Sequence, residues 1–168
     1  MITTSRLTIK PLSENDANAF YHLTLDEGFR LFPITDYRQG DVAAAQDWIR
    51  ANATKWGVWH QSQLIGLGGL TPWECDGEAL VDITYRLRES AWGQGFGLEL
   101  AQGLVRYGFQ ELGLEQITAT ITPDNKASQK IAAKLGMVFD RGIILKGVET
   151  EFYRLASKNH RSPKTMLP

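Results

Sequence analysis

The run Ser90-Ala91-Trp92-Gly93-Gln94-Gly95-Phe96-Gly97-Leu98-Glu99 decides the fold. Glycines stand at every second position, between an alternating stretch and an amphipathic one. Before the run, Val81, Ile83, Tyr85 and Leu87 alternate with Asp82, Thr84 and Arg86, which is the period of a strand. After it, Leu98, Ala101, Val105, Phe109 and Leu112 keep helical spacing, and Gly113 supplies a stop. The first amides of a helix are unpaired and lie at its positive dipole end. A strand, a glycine turn and a helix start therefore suit a phosphate or pyrophosphate. On these residues alone the turn also fits a tight connection with no ligand.

Working outward, Ile117, Ala119 and Ile121 alternate with Thr118, Thr120 and Thr122 as a second strand. The strand–helix–strand unit predicts two parallel strands with a right-handed crossover. Asp124 or Asn125 then caps a helix in which Ile131 and Leu135 face inward and Gly136 is the stop. Met137 to Asp140 and Glu151 to Ala156 read as a closing antiparallel pair. Upstream, Leu7 and Ile9 mark a first strand. Ser13 and Asp16 approach a capping box ahead of Ala17, Phe20, Tyr21 and Leu25. Asp26 to Gly40 reads as irregular. Asp41 caps a further helix through Val42, Ala45, Trp48 and Ile49. Trp56 to His60 and Leu64 to Leu70 read as strands, and Trp73 to Glu78 as a polar loop. The polar tail, residues 157–168, is expected to be mobile, leaving 4–156 as a single α/β domain.

The chain has 168 residues, enough for one domain with a real core. A net charge of -1 argues against a protein whose main task is gripping nucleic acid. No apolar run approaches the ~20 residues of a membrane span. Met1 to Lys10 lacks a signal-peptide pattern, and Cys75 is alone, so a cytoplasmic location is expected. His22 and His60 have no partners at metal-ligand spacing, so no metal is expected.

The spacing sorts the phosphate ligands. A dinucleotide fold wants G-x-G-x-x-G near the start of the chain, whereas here the third glycine comes too early in the motif and the motif sits past the middle of the chain. A nucleoside triphosphatase loop wants a lysine after its glycines, and none follows. A second constellation opens the helix after the second parallel strand: Asn125-Lys126-Ala127-Ser128, then Lys130 and Lys134-Leu135-Gly136-Met137. Taken alone these are caps and a solvated lysine face, or contacts to a ligand lying between the strands.

With both constellations in one unit, the chain resembles the Gcn5-related N-acetyltransferases (GNAT). Their acetyl-CoA signature, [QR]-x-x-G-x-[GA], is similar to Trp92-Gly93-Gln94-Gly95-Phe96-Gly97, with Trp92 at the first position. That departure resembles the ribosomal-protein N-acetyltransferases of the RimJ/RimL type. So do Thr4-Ser5-Arg6-Leu7, Pro11-Leu12 with Asp16, Asn125-x-x-Ser128 and Lys134-Leu135-Gly136-Met137. The resemblance runs from about Thr4 to Leu155.

The resemblance implies a mixed central sheet with two splayed parallel strands, flanking helices, and acetyl-CoA as acetyl donor. It implies pantetheine pairing near Leu87 and pyrophosphate on the amides of Gln94, Gly95, Phe96, Gly97 and Leu98. Asn125, Ser128 and Lys130 are implied around the rest of the cofactor. Asp82 is the implied base, with a solvent-facing carboxylate as the alternative. The tyrosine acid common in the family is missing beside Ser128, where Ile131 and Ala132 stand, so Ser128 or a water is left to protonate the thiolate. Glu74, Asp76 and Glu78 either attract a cationic amine or form a solvated loop. Three functions stay open: transfer to a protein N-terminus, transfer to a small amine such as a polyamine or aminoglycoside, and a non-catalytic CoA-binding module.

Overall fold

Strand β5 (Glu78–Leu87) and strand β6 (Gln116–Ile121) run parallel, yet share a single register pair, Asp82 opposite Thr118. The computed structural model describes residues 1–31 and 37–159. Among them, β5 and β6 stand at the centre of one eight-stranded sheet. On the β5 side lie β4 (Gln63–Cys75), β3 (Trp56–His60), β2 (Thr8–Pro11) and β1 (Ile2–Thr3); beyond β6 come β8 (Val148–Ala156) and β7 (Val138–Leu145). Every other pairing is antiparallel. Past Asp82 and Thr118, β5 and β6 diverge into a fork. This is the α/β fold with splayed parallel strands expected from the sequence.

Among the described residues five α-helices flank the sheet: α1 (Ala17–Thr24), α2 (Glu27–Arg30), α3 (Val42–Ala51), α4 (Phe96–Gln110) and α5 (Lys126–Leu135). The apolar stripe of α4, Leu100, Ala101, Leu104 and Val105, packs in one core with Ile65, Ile83, Ile117 and Leu155. On the other face, α1 and α3 bring Phe20, Leu23, Ala45 and Ile49 against Leu64 and Leu67. A register shift between Val58 and Trp59 leaves Ile65 without an opposite residue. That bulge turns Leu64 and Leu67 to one core and Ile65 to the other.

The caps lie where the sequence puts them. Asp41 accepts from the Ala44 amide at 2.8 Å and Asn125 from the Ser128 amide at 3.1 Å. Three expectations are corrected. Trp73 to Glu78 is not a loop: β4 continues to Cys75, and the chain reverses at Asp76-Gly77, both with positive φ. The hairpin end projects past the cores, so its side chains are polar without leaving the ladder. Asp26 to Gly40 is not wholly irregular, because Asp26 caps the short α2 by accepting from the Phe29 amide. Strand β7 runs on to Leu145, with a turn at Lys146-Gly147. Of the tail, Ser157–Asn159 form a 3-10 turn; residues 32–36 and 160–168 lie outside those described.

Candidate active site

Gly95 caps α4 in the left-handed region at φ 82°, a backbone state that side chains with a Cβ resist. The first bond within this helix start is from the Glu99 amide to the Gly95 carbonyl, which leaves the Phe96, Gly97 and Leu98 amides directed out of the helix. Trp92 does structural work in the same turn: its indole Nε1 donates to the Leu87 carbonyl at 2.9 Å and ties the turn back to β5. The Gln94 side chain donates to the Ser90 carbonyl, and the Gln94 backbone carbonyl accepts from Arg6 at 2.9 Å. Arg6 also lies over the Phe96 ring, 4.3 Å from its centroid.

A cleft of about 600 Å³ runs over this turn. It reaches from Leu87 and Gly95–Leu98 to Asn125, Ser128, Lys130 and Ile131, with Lys126 and Lys134 on the same wall. Three lysines and a helix start make it a cradle for an anion. The Arg88 amide donates to Ile65 on β4. By antiparallel alternation the amides of Tyr85 and Leu87 face the open side, towards the fork. The Leu87 carbonyl is taken by Trp92, so its N–H is the group left to meet a ligand. Asn125 accepts the Ser128 amide on its Oδ1, and its side-chain NH2 remains free to donate to a second partner. Lys130 is exposed.

A second cavity, about 300 Å³, opens on the fork itself. The two cavities share Tyr85, Arg86, Asn125 and Ser128. The second is lined further by Lys55, Thr71, Trp73, Asp82, Thr84, Thr120 and Thr122. Asp82 accepts from Thr118 Oγ1 at 2.9 Å and from Thr120 Oγ1 at 3.0 Å. Burial pushes its carboxyl up to about 6, against the pull of these two hydroxyls and of Lys55. Such a carboxylate can take a proton near neutral pH.

Lys55 stands just before β3 and reaches across β4. Its Nζ donates to Thr71 Oγ1 at 2.7 Å and Thr84 Oγ1 at 2.8 Å. Gly69 permits this approach, because a Cβ there would lie 2.1 Å from the Thr54 carbonyl. Burial pushes the Lys55 ammonium down, Asp82 opposes that, and Arg86 adds to it. Tyr85 donates to the Ser128 carbonyl at 3.4 Å, and burial pushes its phenol up to about 12.

The acidic hairpin end does not feed this cavity. Glu78 pairs with Arg154 at 2.8 Å and Asp76 with Arg141 at 2.8 Å. Cys75 lines neither cavity. Among the described residues no group of three His, Cys, Asp or Glu could hold a metal, and no helix is long and apolar enough to cross a membrane. Tyr85, Lys55 and Arg86 are the site residues that sequence reading missed. The one local signal was Lys55 at the mouth of an otherwise apolar strand.

With this geometry in view, residues 6–138 match the acetyltransferase (GNAT) domain. The chain belongs to the GNAT acetyltransferase family. It is 30% identical over 143 residues to an uncharacterized N-acetyltransferase, p20, of Bacillus licheniformis, covering 79% of each chain. It is 29% identical over 138 residues to another, YnaD, of Bacillus subtilis, covering 81% of each. In fold it is similar to a GNAT acetyltransferase from Bacillus anthracis, with TM-score 0.78 and 21% identity over 94% of this chain and 98% of that one. It is also similar to RimL, a ribosomal L7/L12 alpha-N-protein acetyltransferase solved with coenzyme A. There the TM-score is 0.77 at 16% identity, over 93% and 97% of the chains. As a GNAT member the protein is an acetyl-CoA-dependent N-acetyltransferase, and the anion cradle over the glycine turn suits such a donor.

Proposed function

We propose that acetyl-CoA lies in the larger cleft and a primary amine enters the smaller cavity, so that the two meet at Tyr85 and Ser128. One observation carries this reading: the two cavities share a wall at the fork of β5 and β6, and Asp82 stands at that fork. The amides of Gln94, Gly95, Phe96, Gly97 and Leu98 hold the pyrophosphate, and Lys130 reaches an outer phosphate. Asn125 and Ser128 position the thioester end. Asp82 takes a proton from the incoming ammonium. The amine lone pair forms the new C–N bond as the C–S bond breaks, and the Leu87 amide stabilises the charge growing on the carbonyl oxygen. The leaving thiolate collects a proton from Ser128, from a water it holds, or from the Tyr85 phenol.

For the acceptor, the RimJ/RimL resemblance supports a protein N-terminus. The modest cavity supports a small free amine equally well, at the lower end of small-molecule sites. Residues 4–156 form the catalytic unit in this proposal, and the cytoplasm, where a lone thiol stays reduced, is its setting.

The test has two parts. Gly95→Val puts a side chain at a left-handed cap where phosphate sits. Calorimetry should show acetyl-CoA affinity down at least tenfold, or ~1.4 kcal/mol. Unchanged affinity in a folded variant removes the glycine turn from the donor site. Mass spectrometry of an amine and peptide panel then reads the acceptor directly.

A further inference from the structure

The smaller cavity is positively charged. Lys55, Arg86 and Lys146 line it against the single carboxylate of Asp82. The acidic side chains nearest in sequence do not change that balance, since Asp76 and Glu78 are engaged by Arg141 and Arg154 on the hairpin. A polyamine or an aminoglycoside would bring several positive charges into this surplus.

Lys55 is the informative member. An ammonium has three donors, and Lys55 gives two of them to the neutral hydroxyls of Thr71 and Thr84. Among the described residues no carboxylate lies within ion-pair distance of it. Lys55 is half-buried, and Asp82 acts on it only from beyond that distance, so the ammonium keeps one donor and no contacting anion. A second polar group lining the cavity, just past β6, has no partner at all: Thr122 Oγ1 is buried without a hydrogen bond. A hydroxyl and an ammonium are both donors to a carboxylate.

Resting on the acetyl-transfer reading above, we propose that the acceptor is a zwitterion, a primary amine with a carboxylate a few bonds away. Its ammonium sits at Asp82 and its carboxylate is received by Lys55. Opposite charges of the ligand thus meet opposite charges of the cavity, and one molecule satisfies both. A free amino acid and the acidic first residue of a peptide present this same chemistry.

The experiment follows free thiol release from acetyl-CoA by the full chain. Acceptors are 4-aminobutanoate, glutamate, butylamine, 1,4-diaminobutane, a peptide that begins with glutamate and its twin that begins with glutamine. The carboxylate-bearing amines should exceed butylamine in kcat/KM by at least about tenfold, because a site built around a polar group rejects the analogue lacking it. Lys55→Met should bring that ratio towards one while acetyl-CoA affinity stays unchanged. Turnover of glutamate and 4-aminobutanoate points to a free amino acid, and turnover of the glutamate peptide alone points to an N-terminus; either upholds the proposal. Equal rates with butylamine, faster rates with 1,4-diaminobutane, or a Lys55→Met protein that keeps its preference overturns it and leaves acetyl transfer standing. Thiol release with none of the six overturns the transfer reading, and the proposal with it. If Lys55→Met does not fold, the wild-type chain decides: butanoate should compete with the amine and not with acetyl-CoA, and an absence of competition overturns the proposal.

Discussion

Glu99, in the first turn of α4, holds Arg6 from a position 93 residues away. Its Oε2 accepts from Arg6 Nε at 2.7 Å, and its Oε1 accepts from the Arg6 amide at 2.7 Å and from Thr4 Oγ1 at 2.6 Å. Arg6 also donates to the Gln94 carbonyl, so the pair clamps the N-terminal segment onto the glycine turn. Burial pushes the Glu99 carboxyl up, but the bonds from Thr4 and Arg6 outweigh it and hold the group below its usual range.

This clamp predicts a cofactor effect from a residue that never touches phosphate. Glu99→Ala should release Arg6 and let the turn relax. Acetyl-CoA affinity should weaken by about three- to tenfold, about 1 kcal/mol for a charge-assisted network that is partly exposed. Calorimetry on Glu99→Ala and Arg6→Ala should give similar losses. A full-affinity Glu99→Ala protein would show that the turn holds its shape alone.

Asp82 predicts opposite signs for activity and stability. The carboxyl, pushed up to about 6, is protonated below that pH and ionised above it. Activity should therefore fall as pH drops through about 6. Asp82→Asn should lower kcat by ~10²–10⁴-fold, the usual worth of a general base, and abolish that acid limb. Because the folded state raises this pKa, burial of the ionised form is destabilising above pH 6. The Asn variant should then melt higher than wild type at pH 8, with the difference vanishing near pH 4. A variant with wild-type kcat and an intact acid limb would return Asp82 to a structural carboxylate.

Tyr85 predicts a defect confined to chemistry. Its phenol, pushed up to about 12, stays protonated across the working range and can donate at the wall shared by both cavities. Tyr85→Phe keeps the ring and removes the donor. We expect kcat to drop at least about tenfold, with acetyl-CoA affinity preserved. A fully active Phe variant would leave Ser128 or water to protonate the thiolate.

Cys75 predicts no effect. Its thiol sits at the outer end of β4, beside Asp76 and Arg141, and lines neither cavity. Cys75→Ala should keep wild-type turnover, consistent with direct transfer from thioester to amine. Acetylated Cys75 found on the reaction path by mass spectrometry would refute direct transfer.

Much of the cleft over the glycine turn was legible in the sequence because its signals are local. The 93-95-97 glycines, the Asn125 cap and the alternating strands around them depend on neighbours a few residues away. The hairpin end at Trp73–Cys75 was misread for the same local reason: polar composition resembles a loop wherever a strand runs beyond its core. Trp92 could be read only as a departure from a signature, since its bond to Leu87 needs the folded turn.

The sequence by itself determined the α/β class, the order of most elements, the strand–glycine–helix unit and the anion cradle that follows from it. Periodicity and turn chemistry act over one or two turns of chain, so they survive in a linear reading. Only the tertiary structure decided that Asp82 stands at the fork with Thr118 and Thr120, that Lys55 reaches Thr71 and Thr84, and that Glu99 holds Arg6. Those contacts join segments separated by 16 to 93 positions. They are set by strand order and register, which arise when two cores close on opposite faces of one sheet and no local pattern encodes them.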